Sequence, residues 1–320
     1  MNGQPSKQLP WFSELDITSR VSVSSAIAAI ETALKNGQNP AADPARTVVQ
    51  ARHGQLLLMP SESARSLGVK IASVTPENPG RGLPRIQAIY LMLDSHTLTP
   101  LALMDGTTLT SLRTSAVSAV AANCLASKDA KNLLVFGSGP QARSHIVAMK
   151  SIRPLKHVSI VATTQPKAEE LAELVTTLGM TSSIILRSET ARMRDAVGTA
   201  DLIVCATTSV TPVFDGQYVR NGACVVAVGS HEPAVREVDA SLVERSRVVV
   251  EDTATALRES GDIIMAIEEG RFDATALISL TDLVNSPIGS FDPTRPFLFK
   301  SSGMAWEDLI VAELVFHSDR

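Results

Sequence analysis

The stretch that decides the fold is Leu133-Leu134-Val135-Phe136-Gly137-Ser138-Gly139-Pro140-Gln141-Ala142. An apolar run typical of a buried strand leads into a Gly-x-Gly-x-x-Ala sequence, and a helical pattern follows it. In such a turn Gly137 permits the tight bend, Gly139 lets the backbone approach a pyrophosphate, and Ala142 allows close packing of helix on strand. The free N–H groups at the helix start favour the pyrophosphate charge. A turn without a ligand is the alternative, but the flanking pattern favours dinucleotide binding.

Strand and helix patterns alternate through the middle of the chain. Near-continuous runs of Val, Ile and Leu between helical patterns are typical of a parallel sheet covered on both faces. The predicted fold class is therefore α/β, with a Rossmann-type doubly wound parallel sheet. Its predicted strands are 132–136, 157–161, 183–186, 202–206, 223–228 and 247–250.

The end of the second of these strands bears on the choice of dinucleotide. An acidic residue there normally accepts the ribose hydroxyls of NAD and repels a 2′-phosphate. The sequence here is Val161-Ala162-Thr163-Thr164-Gln165, with Lys167 close behind and no acid. The two hydroxyls and Lys167 favour NADPH, and because no Arg is present, NADH remains possible.

The first third of the chain has a different order of elements. An amphipathic helix over 23–34 precedes four strand patterns, with no helix between them, which predicts an antiparallel or mixed sheet of α+β type. From Thr110 the period becomes helical, and the C-terminal MAWEDLIVAELVF is helical again. We expect residues 119–300 to form the dinucleotide-binding domain and residues 1–118 with 301–320 to form the other. The predicted strands are 47–50, 56–59, 70–74 and 86–93.

Composition limits the partners. The chain has 320 residues and a formal net charge of −4, and no segment concentrates Lys and Arg. The electrostatic footprint of a nucleic-acid or anionic-membrane binder is therefore missing, so we expect a small-molecule partner, no nucleic acid and no membrane.

The cysteines and the N-terminal residues bear on the compartment. Cys124, Cys205 and Cys224 are odd in number and widely spaced, so they predict neither a disulfide framework nor a metal site, and we expect each to pack as a small hydrophobe. The first residues hold no apolar signal segment, and no run of about eighteen apolar residues occurs. A cytoplasmic location is expected.

Three cations of the first third are candidate functional residues. Arg46, Lys70 and Arg113 each have an ordinary interpretation as solvated surface charges. Arg113 is expected in the first turn of an apolar helix, where the dipole disfavours a cation, so a nearby anion would explain it. Lys70 lies in an apolar strand pattern, where burial would lower its pKa and suit it to proton transfer or carboxylate pairing.

Taken together, the motifs of this chain resemble those of the ornithine cyclodeaminase/mu-crystallin family of NAD(P)-dependent proteins. The resemblance covers nearly the whole length. The matching motifs are Leu58-Met59-Pro60, Gly68-Val69-Lys70, Pro76-Glu77-Asn78-Pro79, Leu109-Thr110 with Arg113-Thr114, Gly137 to Ala142, Val228-Gly229-Ser230 and Phe299-Lys300-Ser301-Ser302-Gly303-Met304.

The resemblance implies roles for individual residues. Arg46, Lys70 and Arg113 would hold a substrate carboxylate beside the nicotinamide, in a substrate-binding and dimerisation domain, and a homodimer is expected. Together with the glycine turn and the strand end after it, the resemblance gives as candidate cofactor-binding residues Arg85, Arg113, Thr114, Gly137, Gly139, Pro140, Gln141, Ala142, Thr163, Thr164, Thr207, Val228, Gly229, Ser230 and Ser301.

Two departures from the family pattern indicate the reaction. Cyclodeaminases look to have an acid before Leu-Met-Pro and an Asp after Val-Gly-x, whereas this chain has Leu57 and His231. Deamination needs a group that binds and deprotonates an ammonium, and these positions offer no carboxylate. The sequence from Val228 resembles the reductase branch. His231 is either a substrate-side or proton-relay residue or a polar loop residue, and Glu232 and Glu237 are neighbours without expected catalytic importance.

The expected reaction is the reduction of a cyclic ketimine carboxylate, Δ1-pyrroline-2-carboxylate or Δ1-piperideine-2-carboxylate, to L-proline or L-pipecolate. Arg46, Lys70 and Arg113 would clamp the carboxylate, and Lys70, then His231 or water, would supply the proton. The alternatives are an alanine-dehydrogenase-like or opine-forming enzyme, a cyclodeaminase using other residues, and a mu-crystallin-like NADPH- or ligand-binding protein. Trp306 either shapes a pocket or packs, and a lone Trp in an apolar stripe favours packing.

Overall fold

The computed structural model describes residues 8–286 and 293–318. Contacts between Cα atoms divide the chain into two units. One holds the described residues of 1–29, 42–113 and 304–320, and the other those of 30–41 and 114–303. The sequence suggests one domain over 119–300 and another over 1–118 with 301–320. These limits stay a prediction.

The first unit contains a six-stranded sheet. Its strands are β1 (Trp11–Phe12), β2 (Thr47–Ala51), β3 (Gly54–Glu62), β4 (Ser66–Val74), β5 (Ile86–Asp94) and β6 (Pro100–Asp105). The strand order is β1-β6-β5-β4-β3-β2, with β1 parallel to β6 and the other neighbours antiparallel. The prediction of a mixed sheet is confirmed, although the sequence interpretation omitted β1 and β6.

Strict alternation along β4 gives this sheet two different faces. Ser66, Gly68, Lys70, Ala72 and Val74 are all buried, and the residues between them are only partly covered. A helix of the chain's C-terminal end, α11 (Ala305–His317), packs on β3 and β4. Since period-two alternation places alternate side chains on opposite faces, the buried set forms the face under α11.

The opposite face of the sheet is apolar and partly open. Across four strands the register aligns Trp11 with Leu103, Leu103 with Leu91, and Leu91 with Val69. Several side chains of this face are well exposed: Trp11 is 50% exposed, Val49 45% and Ile89 43%.

The second unit is built on an eight-stranded sheet whose neighbours are all parallel, with the order β13-β12-β14-β11-β10-β7-β8-β9. The predicted doubly wound α/β sheet is confirmed. The direction of strand order reverses between β7 and β10, which is the switch point of such a sheet. Its strands are β7 (Asn132–Phe136), β8 (His157–Ala162), β9 (Thr181–Leu186), β10 (Leu202–Cys205), β11 (Cys224–Ala227), β12 (Arg247–Val250), β13 (Ile278–Ser279) and β14 (Phe297–Lys300).

Helices connect these strands, as the alternation predicts. Within the second unit they are α4 (Pro140–Ile152), α5 (Gln165–Thr177), α6 (Thr190–Thr199), α7 (Ala240–Arg245), α8 (Thr253–Glu259), α9 (Gly261–Glu268) and α10 (Leu280–Asn285). The first unit holds α1 (Glu14–Arg20), and the chain passes from one unit to the other within α2 (Val23–Lys35) and α3 (Gly106–Leu125).

Three details differ from the sequence interpretation. The helix α3 begins at Gly106, not Thr110, so Arg113 is its eighth residue and the first-turn dipole argument was wrong. The sequence interpretation did not include the strand β14, which lies between β11 and β12. Cys124 is exposed whereas Cys205 and Cys224 are buried, so the packing expectation fails for Cys124. In the described part of the chain, no helix is long and apolar enough to cross a membrane.

Candidate active site

The glycine turn of the second unit follows β7 and leads into α4. Gly137 has a φ of +110°, its N–H donates to the Val161 carbonyl at 3.0 Å, and a Cβ there would lie 2.4 Å from the Ala206 oxygen. Only glycine tolerates both the left-handed backbone and this close approach. A Cβ on Gly139, in contrast, would meet no atom within 4 Å, so packing within the chain does not require this glycine. Ala142 is fully buried in the first turn of α4.

The other candidates near this turn are accessible. Pro140 is exposed, Gln141 is half-buried, and Thr163 and Thr164 are exposed at the end of β8. Thr164 is the N-cap residue of α5 but makes no side-chain cap hydrogen bond, so its hydroxyl is not used to start the helix. These hydroxyls lie where an adenosine ribose would be read in a fold of this class.

A buried acid that the sequence interpretation set aside organises the loops after β10 and β11. Glu237 is 0% exposed, and its Oε1 accepts from the Thr207 N–H and O–H, both at 2.7 Å. Its Oε2 accepts from the Gly229 N–H at 2.6 Å. Burial raises the pKa of Glu237, while the Lys300 charge and the Thr207 hydrogen bonds oppose that shift. The Thr207 hydroxyl also accepts from the Ser209 N–H at 3.1 Å, so it is engaged within the protein.

A second buried acid holds the turn after β14. Glu251 accepts from the Ser301 hydroxyl at 2.6 Å and from the Ser302 and Gly303 N–H groups at 2.9 and 3.0 Å. Ser301, a candidate cofactor residue, is thus fixed by a carboxylate at the end of β12. Nothing in local sequence periodicity marks Glu251, because its partners lie about fifty residues away along the chain.

The first unit gathers the three predicted cations. Lys70 is 2% exposed, and its Nζ lies 2.7 Å from Asp308 Oδ2. Arg113 is 4% exposed; its Nε donates to Asp308 Oδ1 at 3.1 Å and its Nη1 to Glu307 Oε2 at 2.7 Å. One carboxylate from α11 therefore bridges a strand lysine and a helix arginine. The anion that Arg113 was expected to need is supplied by the chain itself.

Burial and the charges of this cluster change the pKa of Lys70. Burial and the Arg113 charge lower the pKa of Lys70 to about 8, and Arg46 lowers it further, while Asp308 opposes the shift. The half-buried Arg46, just before β2, is therefore close enough for its charge to act on Lys70. A lysine with a pKa near neutrality both carries charge at pH 7 and releases a proton readily.

Two polar residues beside the cluster were missed from the sequence. Tyr90 is fully buried opposite Lys70 in the register of β4 and β5, and its hydroxyl has no partner among the described residues. Its ring explains Gly68 in the Gly-Val-Lys motif, since a Cβ there would lie 1.8 Å from the Tyr90 oxygen. Asp43 accepts from the Ser61 hydroxyl at 2.8 Å, and burial raises its pKa.

The remaining candidates are placed as follows. Arg85 is half-buried just before β5, Thr114 is buried in α3, and His231 is half-buried in the loop after β11. Leu57 packs with Ala72 and Val74 in a small apolar cluster of the first unit, and Trp306 is 1% exposed in α11. The described residues contain no group of three or more His, Cys, Asp or Glu side chains that could hold a metal ion.

Comparisons with known proteins agree with one another. The model of the ornithine cyclodeaminase/mu-crystallin family matches residues 11–320. The chain is 34% identical over 265 residues to a Delta(1)-pyrroline-2-carboxylate reductase of Bacillus cereus, covering 81% of this chain and 80% of the relative. It is 34% identical to a Delta(1)-pyrroline-2-carboxylate/Delta(1)-piperideine-2-carboxylate reductase of Azospirillum brasilense, covering 83% and 81%.

A solved structure shows the same fold over nearly the whole chain. The Thermococcus litoralis Delta(1)-pyrroline-2-carboxylate reductase, in complex with NADH and L-proline, aligns with a TM-score of 0.90 and 34% identity, covering 97% of both chains. Family model, curated relatives and structure lead to one conclusion: the chain belongs to the ornithine cyclodeaminase/mu-crystallin family.

Proposed function

We propose that this protein is an NAD(P)H-dependent reductase of cyclic ketimine carboxylates. It would convert Δ1-pyrroline-2-carboxylate or Δ1-piperideine-2-carboxylate into L-proline or L-pipecolate. The observation that carries the proposal is Lys70, a buried lysine with a pKa of about 8, held beside Arg113 by Asp308. The names of the relatives and the ligands of the solved structure support the substrate class.

The residue types of the cation cluster fit a monocarboxylate. Lys70 and Arg113 are buried beside each other, and the charge of Arg46 acts on Lys70. Arg and Lys are the usual partners for a carboxylate group.

The chemistry requires one hydride and one proton. The reduced nicotinamide supplies hydride to the C=N carbon, and the ring nitrogen must be protonated for that carbon to be electrophilic. Lys70 is our candidate donor, since it is charged below about pH 8 and returns to the ammonium form from solvent after turnover. His231 and water remain the alternative donors.

The deaminating alternative lacks its chemical groups. A cyclodeaminase must bind an ammonium and take up its proton, and the two positions that resemble its acids here are Leu57 and His231. Leu57 lies in an apolar cluster, where a carboxylate would be costly to bury. The structure thus offers no base at the first of these positions.

The candidate cofactor-binding residues would hold the dinucleotide at the carboxyl edge of the parallel sheet. The turn from Gly137 to Ala142 would carry the pyrophosphate, while the hydroxyls of Thr163 and Thr164, with no acid among them, favour NADPH over NADH. We retain as further candidate contacts Arg85, Arg113, Thr114, Gln141, Thr207, Val228, Gly229, Ser230 and Ser301.

A homodimer paired through the open apolar face of the first unit's sheet completes the proposal. Trp11, Val49 and Ile89 are between 43% and 50% exposed on this face, and exposed apolar surface of that kind marks association sites. A cytoplasmic location is also proposed, consistent with the free thiols of Cys205 and Cys224 in the core.

The test is the loss of NADPH absorbance when purified protein meets Δ1-pyrroline-2-carboxylate or Δ1-piperideine-2-carboxylate, with NADH compared in parallel. Fast oxidation with either imine, and no ammonia from ornithine with NAD, supports the reductase. Oxidation only with pyruvate and ammonia would favour the alanine-dehydrogenase alternative. Tight NADPH binding without any turnover would overturn the enzyme assignment in favour of a ligand-binding protein.

A further inference from the structure

The feature that the proposed mechanism leaves unused is the buried carboxylate of Glu237. Its oxygens accept three hydrogen bonds of 2.6 to 2.7 Å from two different loops. Thr207 belongs to the loop after β10 and Gly229 to the loop after β11. Charge-assisted bonds of this length are among the stronger ones in proteins, so the carboxylate ties the two loops together.

Glu237 is itself held by a second buried pair. Asp262 Oδ1 accepts from the Glu237 and Val238 N–H groups at 2.7 and 2.9 Å. Asp262 Oδ2 lies 3.0 Å from Lys300 Nζ, which donates to the Ser230 carbonyl at 2.5 Å. These hydrogen bonds and the ion pair therefore contact the loop after β11 at two adjacent residues, Gly229 and Ser230.

The two loops also touch directly. A Cβ on Gly229 would lie 2.1 Å from the Thr207 carbonyl oxygen and 2.6 Å from Glu237 Oε1. The glycine is thus required by the contact between the loops. A change of the Glu237 side chain acts directly on Thr207 and Gly229. It reaches Ser230 as the neighbour of Gly229 in the chain, and all three residues are candidate cofactor contacts.

The sheet order places these loops on one half of the dinucleotide. The glycine turn after β7 and the end of β8 lie on one side of the switch point, and β10 and β11 lie on the other. A doubly wound sheet binds a dinucleotide across that point, one mononucleotide on each side. With adenosine on the side of the glycine turn, the nicotinamide half belongs to the side of β10 and β11.

We infer that Glu237 is a positioning residue for the nicotinamide half of the cofactor, acting through Thr207, Gly229 and Ser230. This inference rests on the proposed function only in requiring an NAD(P)H site. A positioning role differs from a merely structural one in a measurable way. If Glu237 positions only the nicotinamide half, binding of the adenosine half should not depend on Glu237.

The experiment measures binding without any imine. Titrations give the Kd of NADPH and of adenosine 2′,5′-bisphosphate, with NADH and ADP as the second pair, for wild type, Glu237→Gln and Glu237→Ala. Loss of charged hydrogen bonds should raise the Kd of the reduced dinucleotide about tenfold or more in Glu237→Ala, and less in Glu237→Gln. The Kd of the adenosine fragment should stay within about twofold. Glu244→Gln, at an exposed acid of the same unit, is the matched control.

A milder variant covers the case in which Glu237 variants fail to fold. Thr207→Val removes one donor to Glu237 but keeps the backbone N–H, and should raise the dinucleotide Kd severalfold while leaving the fragment Kd unchanged. Equal weakening of fragment and dinucleotide in the folded variants would overturn the inference, as would unchanged dinucleotide binding. Absence of imine reduction alone would instead count against the proposed function.

Discussion

The two units use buried carboxylates in opposite ways. In the first unit, Glu307 and Asp308 hold the side chains of Lys70 and Arg113, so the acids act on charges. In the second, Glu237 and Glu251 accept hydrogen bonds mainly from backbone N–H groups and hydroxyls of loops, so these acids fix the conformation of the loops. One region uses its acids to hold cations and to set the pKa of Lys70, and the other uses them to fix the backbone of loops at the carboxyl edge of the parallel sheet.

The largest effect expected from this comparison is at Lys70. Lys70→Met removes the candidate proton donor and a carboxylate partner, and kcat/KM for the imine should fall by about 10²- to 10⁴-fold. The Kd of NADPH should stay close to wild type, since Lys70 is not among the candidate cofactor contacts. Steady-state kinetics and fluorescence titration measure the two quantities, with the exposed Lys128→Met as control. An equal loss of cofactor affinity would contradict the division of roles.

The second largest effect is expected at Asp308, whose carboxylate pairs with the buried cations of the first unit. Asp308→Asn leaves two buried cations without this partner and should destabilise the protein by about 3 kcal/mol. Because Asp308 raises the pKa of Lys70 against burial, its loss should move that pKa below about 8. A protonated donor is lost as pH rises through its pKa, so the alkaline limb of kcat/KM should shift to lower pH.

A pH–rate profile and chemical denaturation check this prediction. The exposed Asp129→Asn should change neither. An alkaline limb that does not move in Asp308→Asn would show that another group donates the proton.

Gly137 and Gly139 allow a comparison of stability and cofactor binding within the glycine turn of the second unit. Gly137→Ala forces a Cβ to within 2.4 Å of the Ala206 oxygen at a φ of +110°, and should cost about 1–3 kcal/mol of stability as well as cofactor affinity. Gly139→Ala enters open space and should leave stability within about 1 kcal/mol while weakening dinucleotide binding. Thermal unfolding with and without NADPH distinguishes them, and equal destabilisation would contradict the open site at Gly139.

The smallest effect is expected at Tyr90. Its buried hydroxyl has no partner among the described residues, so Tyr90→Phe should change stability by less than about 1 kcal/mol in either direction. If the hydroxyl contacts substrate, the KM for the imine rises while the unfolding midpoint stays unchanged. A large loss of stability would show that the hydroxyl is bonded in the free protein.

The comparison of the two units also shows which features can be predicted from the sequence and which cannot. Gly137 to Ala142 and the alternating strands have local signals, because turn geometry and side-chain period act over a few residues. Asp308 and Glu237 have none: Asp308 meets Lys70 across 238 residues of chain, and Glu237 meets Thr207 across thirty. Arg113 illustrates the limit, since an anion was correctly expected beside it but from a helix position it does not occupy.

The return of α11 to the sheet of the first unit has a consequence for the order of synthesis. Asp308 and Glu307 emerge from the ribosome after the strand that carries Lys70 and after nearly the whole second unit. At about 5–20 residues per second, the lysine and arginine wait many seconds for their counter-ions. A nascent chain shorter than about 308 residues therefore lacks carboxylates that pair with Lys70 and Arg113 in the folded protein.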